Sequence, residues 1–418
     1  MEVTDVQYKE SEIGVIPVDW NVKKISDFSK PVRGGSPRPA GSPLYFNGDY
    51  IPWLTVAALT NISSSQLFVS ETEGFLTQLG SEYSRTLEKD TLIIANSGAT
   101  LGVAKLLAIK CCANDGIAAL NNFSREVDKA YVVYYINSIT QKLREVVATG
   151  NGQPNLNTTL IGDLRIPLPP TKSEQTAIAT ALSDTDALIE NLEKLIAKKR
   201  NIKQGVMQEL LTGKKRLAGF KGKWVTIKIG EVADIHKGNG LSKTKLKQAG
   251  KYGCILYGEL FTTYKRIIKN AISHTDYEEG VYSKAGDILM PGSTTTTGID
   301  LAIASAVLKD NILLGGDINV IRPKTASINS IFLAYYITEV LKHKILELTQ
   351  GITIIHLYGK DLKTLEIAIP EISEQDAIGK ILVDIDEELS GLENQMNKYQ
   401  LIKQGMMQKL LTGKIRLV

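Results

Sequence analysis

A long internal repeat constrains this chain more than any other feature. Ile202 opens IKQGVMQELLTGKKRL and Ile402 opens IKQGMMQKLLTGKIRL, an offset of 200 residues. The match runs upstream without a gap: Ser173, Glu174 and Gln175 answer Ser373, Glu374 and Gln375, and Asp184 and Asp186 answer Asp384 and Asp386. About half of the positions from Pro170 to Leu217 are identical to their partners, more than chance gives in an ungapped match. A fainter echo covers the rest. Trp20 and Trp224 each open a segment, TLIIANSGATLG resembles DILMPGSTTTTG, and Tyr134-Tyr135-Ile136 resembles Tyr335-Tyr336-Ile337. The unit is therefore a variable globular part followed by a constant helical part, present twice. A length of 418 residues suits two or more cores rather than one. The order is expected to be cyclic, because the AGFKGKW that follows Leu217 has its counterpart IGVIPVDW near the N-terminus.

The constant parts carry a coiled-coil pattern. In the first, Ile178, Thr185, Leu192, Lys199 and Val206 recur every seven residues, with Leu182, Ile189, Ile196, Lys203 and Leu210 offset by four. In the second the sets are Ile378, Ile385, Leu392, Tyr399 and Met406, with Leu382, Leu389, Met396, Lys403 and Leu410. Such a seam predicts two long helices that pair with each other. Pairing within the chain, antiparallel, is expected to leave the variable parts at opposite ends of a rod. Thr171 with Glu174, and Ser373 with Asp376, are placed for capping boxes, and Gly213 and Gly413 for helix stops. Lys203 and Lys403 interrupt the seam at equivalent places, where a polar residue fixes register. Gly205 and Gly405 lie mid-helix, which suggests either tolerance or a close helix crossing.

Both variable parts read as mixed α/β. Apolar strand-like runs flank turns that offer Asn96, Ser97 and Thr100 in the first and Ser293, Thr294 and Thr295 in the second. A helix-like stretch follows each, YVVYYINSITQKLREVV and IFLAYYITEVLKHKILEL. After it comes a polar loop: Gln153, Asn155 and Asn157 in one copy, Thr353 and His356 in the other. Amide side chains of this kind read base edges through paired hydrogen bonds, although a plain surface loop fits the same residues. Two glycine loops carry cations: Arg33, Ser36 and Arg38 in the first part, and His236, Lys237, Asn239 and Lys243 in the second. Glycine lets backbone approach a phosphate and the cations attract it. Basic residues from Lys194 to Lys223 offer either a solvated helix face or a DNA-facing one.

Composition excludes several classes. With 43% hydrophobic and 22% charged residues the chain is an ordinary globular one, and a net charge of +4 permits nucleic-acid binding without demanding it. No apolar run is long enough to span a bilayer and the N-terminus lacks the features of a signal peptide, so no membrane partner and a cytoplasmic location are expected. Three cysteines without a CxxC pair argue against a disulfide framework or a zinc site, and the four histidines show no metal-ligand spacing, so no metal is expected. GxGxxG after a strand, GxSxG, NPPY and DPPY are all absent. The expectation is a chain that does no chemistry of its own and holds no cofactor.

The openings GVIPVDW and RGGSP, the stretches NSGATLG and GNGQPN, the IPLPPTKSEQTAI boundary and the doubled KQGxMQxLLTGKxRL resemble type I restriction–modification specificity subunits over essentially the whole chain. In the second variable part HKGNG replaces RGGSP and QGITIIHLY replaces GNGQPN. The resemblance implies an α+β fold of two α/β target-recognition domains separated by two long conserved helices, an antiparallel coiled coil with pseudo-twofold symmetry. The expected division is residues 1–165 and 217–365 for recognition, 166–216 and 366–418 for the helices. It also implies that each recognition domain reads one half of a split, asymmetric site on double-stranded DNA, and that the helices set the gap. Two modification subunits binding S-adenosylmethionine would join, and restriction subunits using ATP could add to the complex. Two alternatives stay open: the recognition subunit of a related system with fused cleavage and methylation, and a coiled-coil scaffold that binds no DNA.

Overall fold

A computed structural model describes residues 7–148 and 154–417. The chain divides into two compact units. One comprises residues 1–195 and 392–418, the other residues 196–391.

In the first unit, β1 (Asn21–Lys24) follows the buried Trp20, and β2 (Lys30–Arg33) follows it in turn. Then come β3 (Phe68–Val69), β4 (Leu92–Ala95), β5 (Ala104–Leu107) and β6 (Ile117–Asn121). These last five form a sheet in the order β2, β6, β4, β5, β3, antiparallel except for the parallel β5–β3 edge. The unbroken apolar runs of β4 and β5 are buried on both faces, as strands covered on two sides require. A second sheet brings Phe46–Leu54 beside Gly74–Leu76 and Cys111–Ala113. Helix α1 (Lys129–Ser138) is capped by the Asp128 carboxylate and buries Tyr131 to Ile136 against the first sheet. A short α2 (Thr158–Gly162) leads to β7 (Arg165–Leu168), which pairs antiparallel with β1 and so joins the end of the first variable part, termed the first reader, to its beginning. Helix α3 follows as Lys172–Leu210.

The second unit repeats this plan. Its strands are β8 (Val225–Lys228), β9 (Ala233–Lys237), β10 (Ile267–Ile268), β11 (Ile288–Pro291), β12 (Ser293–Thr294), β13 (Ser305–Val307) and β14 (Ile318–Pro323). The main sheet runs β9, β14, β11, β13, β10, with the same pattern of directions as in the first unit. Helix α4 (Ser330–Glu339), β15 (Ile355–His356), α5 (Gly359–Leu362), β16 (Glu366–Ile369) and α6 (Ile372–Leu410) complete it, and β8 pairs with β16.

Each long helix belongs to both units: its N-terminal part lies in the unit of its own reader and its C-terminal part in the other. Within each unit the two helical pieces run antiparallel. Asp186 faces Lys403 and Thr185 faces Met406 in the first, while Asp386 faces Lys203 and Glu388 faces Lys199 in the second. The seam expected from the heptads is buried at Ile189, Leu192, Ile196 and Leu389, and half-buried at Ile385, Leu392 and Met396. Its ends do something else. Ile178, Leu182 and Leu410 belong to the core of the first reader, and Ile378, Leu382 and Leu210 to that of the second. Helix and reader therefore share one core in each unit.

Three local expectations need correction. Thr171 does accept the Glu174 backbone N–H, at 3.2 Å, but the Glu174 carboxylate turns to Arg416 instead of closing a capping box. At the start of α6 the Glu374 and Gln375 N–H groups go to the Glu371 carbonyl, and the Asp376 carboxylate accepts from the Asn329 side chain. Gly205 and Gly405 mark no close crossing within the chain: a Cβ at either would meet nothing within 4 Å.

Candidate nucleic-acid interface

The glycine loops follow β2 and β9 directly, so the sheet edge fixes where they begin. Gly34 donates its N–H to the Ile117 carbonyl, and Gly238 donates to that of Ile318. Both glycines are required by contact. A Cβ on Gly34 would lie 2.0 Å from the Asn114 carbonyl oxygen, and one on Gly238 2.0 Å from that of Gly315. The Leu156 N–H bonds to the Asn96 carbonyl, and the Leu357 N–H to that of Gly292. By these hydrogen bonds Arg33 matches Lys237, Asn96 matches Gly292 and Asn155 matches His356. The two readers thus present one framework with different side chains.

In the first reader the loop gathers on Asp115. Ser36 Oγ donates to Asp115 Oδ1 at 2.8 Å, Arg33 Nε donates to the Asp115 carbonyl at 2.7 Å, and Arg38 lies 3.7 Å from the carboxylate. Arg33 and Arg38 keep 56% and 74% of their side-chain surface, enough to meet a ligand. Asn96 is buried and its amide donates to the Asp115 carbonyl, so it holds the turn from beneath. Ser97 and Thr100 are half-buried at the adjoining turn. Asn155 is half-buried, and Asn157 is exposed but caps α2 by accepting from the Leu160 N–H at 2.8 Å. Gln153 lies outside the described residues.

In the second reader the centre is Asp317. Lys237 Nζ lies 3.1 Å from its carboxylate, and Ser293 Oγ donates to it at 3.2 Å. Ser293 and Thr294 are buried in β12, which pairs with β15 and brings His356 opposite Ser293. His356 stacks on Tyr358 with ring centroids 5.9 Å apart. His236, Asn239, Lys243, Thr295 and Thr353 are exposed. The geometry draws together Arg33, Ser36, Arg38 and Asn96 on one acid, and Lys237 and Ser293 on another. Among the described residues His236 and Lys243 pair with neither acid.

The basic stretch from Lys194 to Lys223 is partly engaged. Lys194 pairs with Glu190, Lys199 with Glu388, Lys203 with Asp386 and Arg216 with Glu374. These pairs reduce the cationic face that the sequence suggested.

Sequence reasoning missed a clasp built twice from the repeated residues. In the first unit Arg416 forms a two-pronged contact with the buried Glu174, adds Asp19 at 2.9 Å, and stands over the Trp20 ring. Gly413, at φ 68°, sits where a Cβ would press on Trp20 and Pro17. In the second unit Arg216 grips Glu374, whose side chain has no exposed surface, beside Trp224 and Gly213. Gln175 and Gln375 complete the joint. Their side-chain oxygens accept from the Asp128 and Asn329 N–H groups just before α1 and α4. The signal was present in the doubled Ser-Glu-Gln, the doubled Arg-Leu and the two tryptophans.

A third feature lies deeper. Tyr134 donates to Asp186 at 2.8 Å and Lys403 pairs with the same carboxylate at 2.5 Å. Tyr335, Asp386 and Lys203 repeat this arrangement. Burial pushes the Asp186 carboxyl up while Lys403 draws it down, with burial the larger effect. Lys105, buried in β5, donates to the carbonyls of Ser63 and Gln66.

Among the described residues no helix is long and apolar enough to cross a membrane. The family described as "Type I restriction modification DNA specificity domain" matches twice, over residues 17–199 and 221–403. Two curated relatives from Methanocaldococcus jannaschii align over nearly their whole length. The putative type I restriction enzyme MjaX specificity subunit is 25% identical, covering 98% of this chain and 96% of the relative. The MjaVIII specificity subunit is 24% identical with the same coverage. Among solved structures, the type I restriction–modification S subunit from M. genitalium superposes with a TM-score of 0.62 at 16% identity, over 98% of both chains. A chain from a structural study of complex assembly and conformational transition of the type I R-M system gives 0.54 at 15% identity, over 96% of this chain and 99% of that one. With both repeats matched, each including its reader and much of its helix, the chain belongs to the type I restriction–modification specificity-subunit family.

Proposed function

We propose that the two readers recognise the two halves of a bipartite, asymmetric site on double-stranded DNA, and that the paired helices recruit two modification subunits and set the gap between half-sites. The carrying observation is the cationic glycine loop, set on the same strand framework in both readers while its side chains differ. A shared framework with different contact residues suits two half-sites of different sequence. Arg33, Ser36 and Arg38 serve the first half-site, with Ser97, Thr100, Gln153, Asn155 and Asn157 at neighbouring turns. Lys237 and His356 serve the second, with His236, Asn239, Lys243, Thr295 and Thr353. Asn96, Ser293 and Thr294 act from below by holding these turns. The chain performs no chemistry: S-adenosylmethionine binds the modification subunits, and ATP binds restriction subunits where these join. The complex works in the cytoplasm, where it meets DNA.

The test is methylation mapping of DNA from cells that hold this chain and its modification subunit. A split motif of two unlike halves supports the reading. A contiguous motif, or no motif, overturns it. The purified chain alone should transfer no labelled methyl group to DNA.

A further inference from the structure

We propose that Asp115 and Asp317 restrain non-specific DNA binding by holding the loop cations of their own reader. The proposal rests on the reading that these loops face DNA. In each reader a carboxylate meets the cation of the glycine loop, Arg33 with Arg38 in one and Lys237 in the other. The acids are not aligned residues. Counted back from the matched Ile117 and Ile318, Asp115 is two positions before the strand and Asp317 one. Two turns of different sequence thus deliver an acid to the equivalent cation, Arg33 or Lys237. Each acid is also oriented by a serine, Ser36 or Ser293.

Stability does not account for these pairs. Both acids keep 41% of their side-chain surface and the cations more than half, and ion pairs so exposed add little to folding. An acid on a DNA-facing loop has a direct electrostatic effect instead. Non-specific binding comes from uncompensated cations that replace counterions on phosphates. A carboxylate beside the cation opposes that exchange on any sequence. Only a duplex whose base edges add further contacts draws the cation away. The acid thereby lowers affinity for random DNA, and a target that draws the cation away also bears the cost of breaking the pair.

The experiment uses the full-length chain with its modification subunit and two duplexes, one carrying the mapped target and one scrambled, across a salt series. For Asp115→Asn and for Asp317→Asn, affinity for the scrambled duplex should rise severalfold. The slope of log affinity against log salt should steepen by about one. Asp115→Glu, which keeps the charge, should leave scrambled-duplex affinity and slope near those of the unsubstituted chain. Unchanged or lower scrambled-duplex affinity overturns the proposal. Arg38→Ala separates the two levels. If it weakens binding while Asp115→Asn changes nothing, the proposal alone fails; if Arg38→Ala also changes nothing, the loop does not face DNA and both fail.

Discussion

Glu174 and Glu374 stand in the first turns of the long helices with almost no exposed surface, a position that a carboxylate tolerates only when it is paired and hydrogen-bonded. Arg416 and Arg216 each donate to both carboxylate oxygens at once. Breaking such a pair leaves a buried charge, so Arg416→Met should cost the first unit about 3 kcal/mol, read as a lower urea midpoint. Arg416→Lys should not restore it, because an ammonium cannot make the planar two-pronged contact. A midpoint unchanged by Arg416→Met would show that the clasp holds nothing. Lys105 makes a different prediction. Burial first, and Lys403 second, bring its amine down from 10.5 to about 8, against the raising effect of Asp186. Above about pH 8 the folded chain releases a proton that the unfolded chain keeps until near 10.5. The unfolded state then binds more protons, so this group's contribution to stability grows as pH rises through that window and is lost as pH falls back through 8. Lys105→Met should remove that rise. Unfolding curves for both proteins across the window check it, and parallel pH dependence would contradict it.

The long helices show what a sequence pattern carries and where it stops. Heptad spacing identifies both helices and most of the apolar residues they bury, because burial on a helix follows its period. It does not say which surface covers them. Ile178 and Leu182 fit the seam by spacing, yet they pack into a reader core, since a helix that emerges from a domain must first satisfy that domain. The glycine loops were legible because close backbone contact admits no substitute for Gly34 or Gly238. The acids opposite them were not, because Asp115 and Asp317 reach the loops from turns about 80 residues along the chain, and the two turns do not align. The clasp was hidden for a similar reason: Glu174 and Arg416 are far apart in sequence, and repetition alone does not reveal pairing. Lys203 and Lys403 were read as register residues, and the structure gives each an acid on the facing helix. Gly205 and Gly405 have open space around them. Gly205→Ala should therefore stabilise the chain by up to about 1 kcal/mol through helix propensity. A higher thermal midpoint is the expected result, and a lower one would show strain that the surroundings do not explain.

At the scale of the whole molecule, two units repeat one plan while their loops differ, so each reader should act on its own half-site. The direct measurement is to replace the first reader, up to about Leu164, with that of another family member, and to map methylation in cells carrying the modification subunit. One half of the motif should change to the donor's and the other half should stay as it was. A change in both halves would contradict the two-reader account.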